Sequence, residues 1–194
     1  MFGVIDVRVL DYPDKPFIAY SHPIAVDEVA ETIREVRPHI LIAQSPYMTE
    51  HQGRVPAHPN DHTEVGVVAM MAKASAAAPK LGASRPPHKI ALTLFMGIYF
   101  NQDEWDFTID VNDWYEQRVQ AEALFESQGH TLDFARKRIE IGVGRAGWAA
   151  GTGYAEAFVR ERFARLTRIP VSEIELRASL ETEKEMLSRL TGKS

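Results

Sequence analysis

The chain has 194 residues, 45% of them apolar and 25% charged, and it contains no cysteine. A chain of this length and composition can bury a sizeable core without staples, which excludes a disulfide scaffold, a thiolate metal site and a wholly disordered segment. No run approaches the ~18 apolar residues of a membrane-spanning helix, and the first residues, Met-Phe-Gly-Val-Ile-Asp, lack the basic and apolar regions of a signal peptide, so a cytoplasmic location with no membrane partner is expected.

The net charge of −5 is unevenly spread. Residues 133–168 hold Arg136, Lys137, Arg138, Arg145, Arg160, Arg162, Arg165 and Arg168 against Asp133, Glu140, Glu156 and Glu161, so this stretch is +4 and the remainder −9. A basic face can meet phosphate, whereas the acidity of the whole chain opposes nucleic-acid binding. The plainer reading is a solvated, arginine-rich helix face.

In chain order, residues 2–10 (FGVIDVRVL) are β-branched and partly alternating, which predicts a strand. Tyr12-Pro13-Asp14 marks a turn, and residues 16–20 could close a hairpin. Asp27 can cap a helix reaching Val36, with Val26, Val29, Ile33 and Val36 at helical spacing. Pro38 ends it, and residues 39–43 (HILIA) read as a buried strand. Strand, helix, strand in this order suggests a βαβ crossover. Residues 45–62 form a polar loop with three prolines and three histidines, long enough to suggest a function. A helix follows over 64–78, then a linker, then an apolar run over 89–100 read as a strand, and one more strand is expected at 107–111. Asp113 with Glu116 predicts a capping box, and Thr131 a second helix cap. Five glycines between Gly142 and Gly153 weaken a helix unless close packing requires them. Tyr154 to Leu166 is strongly amphipathic, a short extended piece runs from Ile169 to about Leu176, and a terminal helix is expected over 180–190. The whole reads as one α/β domain over 1–194, a mixed sheet with flanking helices, with 45–88 as a loop and helix insertion.

Four features carry candidate chemistry. His51, His58, Asp61, His62 and Glu64 have the donor types of a zinc site, without the spacing of an established motif. Asp6 and Asp110 each interrupt an apolar strand, where a charge is costly unless it faces solvent, is paired, or holds a cation such as Mg²⁺. Residues 142–153 formally contain Gly-x-Gly-x-x-Gly, but the charged segment before them does not read as the strand that a dinucleotide site needs, and the terminal Gly-Lys-Ser lacks the rest of a phosphate loop. Trp105, Phe107, Trp114 and Tyr115 could stack on a ligand, or form core or a subunit contact.

The order of a Gly/Ala-rich helix at 141–157, Ile169-Pro170-Val171-Ser172-Glu173, Ala178, Lys184 and Thr191-Gly192-Lys193 resembles RuvC-like Holliday-junction resolvases of the RNase H fold. The layout of Asp6, helix 27–36 and the Pro-His-Ile-Leu-Ile strand is similar too. The resemblance implies an RNase H-like sheet, Mg²⁺-dependent phosphodiester hydrolysis at Asp6 and Asp110, and DNA held by Arg136, Lys137, Arg138, Arg145 and Arg160. Gln44 stands where the family presents a glutamate. Two other readings stay open: an assembly protein partnered by further copies of itself, and a hydrolase using zinc in the histidine loop.

Overall fold

The computed structural model describes residues 2–12, 23–46, 61–79 and 84–191. It has the expected α/β architecture, a four-strand mixed sheet flanked by helices. The strands are β1 (Ile40–Ala43), β2 (Leu92–Met96), β3 (Phe107–Asp110) and β4 (Ala155–Arg160), in the spatial order β1-β2-β4-β3. The helices are α1 (Pro23–Val36), α2 (Asp61–Ala77), α3 (Tyr115–Ala123), α4 (Leu132–Ala150), α5 (Glu173–Ala178) and α6 (Glu183–Leu190). The chain divides into two compact units. One comprises Arg8–Glu104 with Val159–Phe163, and the other Met1–Val7, Trp105–Phe158 and Ala164–Ser194.

In the first unit β1 and β2 are parallel, with Ile40 opposite Leu92 and Ala43 opposite Phe95, and α2 is the crossover between them. Residues 61–77, set within an insertion by the sequence reading, are therefore part of a βαβ unit. Helices α1 and α2 pack through small side chains. Ala25, Val26, Ala30 and Ile33 meet Val68, Ala72 and Ala76, and Ile90 closes the cluster. Alanines at this seam let two helix backbones approach closely. Arg34 is among the most buried side chains, at 2% exposure. Its guanidinium pairs with Glu31 at 2.5 Å and donates to the carbonyls of Ser75 (2.7 Å) and Ala78 (3.2 Å), so it closes the carboxyl end of α2 where cations are favoured. Lys73 of α2 donates to Thr93 of β2 at 3.1 Å and forms an ion pair with Glu161, at the end of β4.

In the second unit β3 and β4 are antiparallel, with Phe107 opposite Phe158 and Asp110 opposite Ala155. Helices α3 and α4 pack through Val119, Ala135, Ile139 and Val143. Thr131 caps α4 by accepting the amide of Phe134, as its position predicts. The capping box at Asp113 does not form. A short 3₁₀ turn over Asn112–Trp114 leads into α3, and Glu116 instead takes two hydrogen bonds from Arg136, at 2.5 and 3.0 Å. That pairing holds the Glu116 carboxyl below its ordinary range.

The glycine-rich stretch is helical as far as Ala150, so its Gly-x-Gly-x-x-Gly lies inside a helix and not in a loop after a strand. A Cβ on Gly147 would lie 2.4 Å from the carbonyl oxygen of Gly153, so close passage of the chain after α4 requires that glycine. Gly151 then ends the helix in the left-handed conformation, at φ 71°.

Residues 2–10 form no strand. Ile5 and Val9 are 101% and 88% exposed, and Val4 and Val7 are exposed too. A β-branched run becomes a strand only when a second strand pairs along it, and the described sheet contains only β1, β2, β4 and β3. Residues 155–160 form β4, and residues 173–178 are helical where an extended piece was expected. The proposed second strand at 16–20 lies outside the described residues.

Candidate functional site

The carboxyl end of β1 meets the first turns of α2. A Cβ on Gly66 would sit 2.7 Å from the carbonyl oxygen of Gln44 and 2.7 Å from the carbonyl carbon and oxygen of Ser45. Only glycine permits that approach, because the obstructing atoms are backbone and cannot swing away. Ser45 is buried, and the side-chain oxygen of Gln44 is buried without a hydrogen-bond donor among the described residues. An unanswered acceptor of this kind costs about 1–3 kcal/mol and calls for a water, an ion or a ligand group to explain it. At the α-helical rise, Asp61, His62 and Glu64 lie within about 8 Å of Gly66 along the axis of α2. Asp61 and Glu64 are half-buried, and His62 is exposed. Two acids and an imidazole thus stand at the opening of the helix that Gly66 brings against the end of β1. His51 and His58 lie outside the described residues. Among the described residues no three His, Asp or Glu side chains gather where a metal could sit.

The end of β3 is built differently. Asp110 Oδ1 accepts from the Asn112 amide (3.0 Å) and Nδ2 (2.8 Å), and Oδ2 accepts from Asn112 Nδ2 (3.0 Å) and Thr152 Oγ1 (2.6 Å). Asn112 Nδ2 also donates to Thr152 Oγ1 at 2.7 Å, while Asn112 Oδ1 accepts the Tyr154 amide at 3.0 Å. The ring of Tyr154 stacks on Tyr115 with centroids 4.0 Å apart, and burial pushes the Tyr154 hydroxyl above its ordinary range. The carboxylate of Asp110 is therefore spent on holding the chain after α4 to the end of β3. Asp6 lies in the exposed 2–10 segment, on no strand.

The basic residues singled out in the sequence are dispersed among separate partners. Arg136 binds Glu116, Arg138 binds the buried Glu122 at 3.0 Å, Arg145 lies over the Trp105 ring at 5.7 Å, and Arg160 donates to the carbonyl of Arg162 at 3.2 Å. Lys137 is exposed. The aromatic residues also separate: Phe107 stacks on Phe158, and Trp114 is exposed.

No family model matches the chain, and no curated protein matches it. Solved structures do. The conserved protein TT1542 from Thermus thermophilus superposes with a TM-score of 0.64 at 21% identity, over 84% of this chain and 67% of that one. GalB, the 4-carboxy-2-hydroxymuconate hydratase from Pseudomonas putida, gives 0.61 at 16% identity, over 82% and 65%. The N,N'-diacetylchitobiose deacetylase from Pyrococcus horikoshii gives 0.61 at 20% identity, over 77% and 54%. The chain thus spans about two thirds of the first two structures and about half of the third. The chain shares its fold with these structures. That fold is not the fold of a RuvC-like resolvase.

That result overturns the RNase H resemblance and with it the reading as a Mg²⁺-dependent DNA nuclease. The resemblance rested on the order of elements, which many α/β proteins share. It also took residues 2–10 as the first strand, whereas among the described residues the first strand begins at Ile40. Sequence reasoning passed over Gly66. Its signal was present, since a glycine inside an alanine-rich helix costs about 1 kcal/mol and needs a reason. The Lys73–Glu161 pair spans 88 positions and has no local signature. Among the described residues no helix is long and apolar enough to cross a membrane.

Proposed function

We propose that the chain is a metal-dependent enzyme that adds water to a small polar substrate, with its site at the carboxyl end of β1 and the first turn of α2. The observation that carries this reading is the unanswered buried oxygen of Gln44, held by Gly66 beside the helix that opens with Asp61, His62 and Glu64. Parallel α/β sheets place their ligands at the carboxyl ends of strands, which supports the location. The likeness in fold to a deacetylase and a hydratase supports the reaction class, because hydrolysis of an acetamide and hydration of a double bond both deliver water to an electrophilic carbon. A cytoplasmic setting, consistent with the absence of cysteine, belongs to the same proposal.

Zinc is the metal of this proposal. The donor types fit it, since His51, His58, Asp61, His62 and Glu64 offer the imidazole and carboxylate ligands zinc accepts, and the chain has no thiolate to compete. His62 with one of Asp61 and Glu64 would supply part of the set, because all three do not converge on one point, and His51 or His58 would be needed to complete it. When bound, zinc brings the pKa of its water to about 7 and polarises a carbonyl. The oxygen of Gln44 would accept a hydrogen bond from the substrate or its water, and so orient it.

Protein purified without an affinity tag and reconstituted with zinc should carry about one equivalent by elemental analysis, as a single site requires. The paired change His58→Ala, His62→Ala should abolish it. Acetate release from N-acetylated sugars and hydration of an unsaturated hydroxy acid are then assayed with the loaded protein. Sub-stoichiometric zinc that the paired variant leaves unchanged would sink the proposal.

A further inference from the structure

Residues 162–180 are exposed without exception, although two helical turns and a capping box lie within or against them. Phe163, Ile169 and Leu180 are 94%, 90% and 86% exposed, and Val171, Ile174 and Leu176 are exposed between them. Helix α5 has no buried residue. The hydrogen bonds of this arm are local, made between residues 160 and 182 among the described residues. Its local structure is nonetheless well specified. Ser172 accepts the amide of Glu175, and Glu175 returns the bond to the Ser172 amide at 2.6 Å. After the arm, α6 is fixed by Arg189, which reaches the Gly151 carbonyl at 3.0 Å and pairs with Glu181. A segment with defined turns, fixed flanks and bare apolar side chains is shaped for a surface outside its own fold.

We propose that the 162–180 arm docks on a second copy of this chain. Charge selects that occupant. The arm carries Arg162, Arg165, Arg168 and Arg177 against Glu173 and Glu175, a net +2, which leaves −7 on the rest of a chain whose total is −5. A second copy therefore offers a surface of the opposite sign. It also offers apolar side chains within an acidic surface to meet the arm, because Ile24 and Val36 of α1 are exposed beside Asp27, Glu28 and Glu35. The size is right as well. Stable interfaces use roughly 20–30 residues a side, and an arm of nineteen exchanged in both directions, with the surface it covers, reaches that scale. Reciprocal exchange closes on itself as a symmetric dimer, so it does not propagate. The proposal is independent of the catalytic reading, since no arm residue belongs to the β1–α2 site.

Sedimentation equilibrium of the full chain over a wide concentration range tests it. The wild type should be a dimer or a closed multiple of one. Ile169→Asp with Leu180→Asp should weaken association by roughly 30-fold or more, the loss expected for interface anchors, with an unchanged circular dichroism spectrum because both side chains are exposed in the single chain. Arg165→Glu with Arg168→Glu should weaken it less, and the wild-type association should fall as salt rises. A wild type that stays monomeric at every concentration overturns the proposal. So does an oligomer that the paired aspartates leave intact.

Discussion

The ends of β1 and β3 present the same kinds of atoms in opposite states. At the end of β3, Asp110, Asn112, Thr152 and the Tyr154 amide satisfy one another, and both oxygens of the carboxylate accept hydrogen bonds from within the chain. At the end of β1, Gly66 brings α2 against the chain, yet a buried amide oxygen of Gln44 goes unanswered among the described residues. The first arrangement holds structure together. The second leaves a polar demand that folding alone does not meet. A carboxylate inside a strand is thus no guide to function until its partners are known, whereas an orphan acceptor beside a helix opening is a guide.

Three substitutions sharpen or break this contrast. The largest effect is expected at Gly66→Ala, where the added methyl meets backbone that cannot yield. The loss should be roughly 3 kcal/mol, at the upper end for overpacking, and is read from urea denaturation. Retention of wild-type stability would mean that the β1–α2 junction is looser than described. Asn112→Ala should cost about 2 kcal/mol, because it strips partners from Asp110, Thr152 and the Tyr154 amide together. It should leave zinc stoichiometry untouched, and a loss of metal in that variant would erase the distinction between the two strand ends. The smallest effect is expected at Gln44→Leu. Removal of an unsatisfied buried acceptor should change stability by no more than about 1 kcal/mol in either direction, while turnover of any substrate found should fall. Strong destabilisation of that variant would show that the amide is structural.

What the sequence disclosed followed from how local each feature is. The strand at Ile40–Ala43, the helix ending before Pro38 and the cap at Thr131 are set by neighbouring residues, and each was legible. Residues 2–10 have the same β-branched composition as a strand and are not one, because pairing depends on a partner that composition does not name. Glycines 142–147 argued against a helix that nevertheless runs to Ala150, because the close passage at Gly147 lies outside the local window. In the site, His62, Asp61 and Glu64 could be read as donors. Their location beside Gln44 depended on Gly66, a residue that declares its purpose only once the strand and helix are in place. The functional class was misread because an order of elements was given the weight of a constellation of side chains.

The guanidinium of Arg34 has an evolutionary consequence. Its neighbours, Glu31 and the carbonyls of Ser75 and Ala78, are arranged around a planar, forked cation. Loss of one partner of such a buried pair is costly, whereas exchange of the whole set for apolar side chains of similar volume is often neutral. Any path to the apolar solution must cross an intermediate worse than either end. The arginine can therefore persist across descendants as a frozen accident of ancestry, kept by the depth of the valley around it, with no direct role in catalysis required.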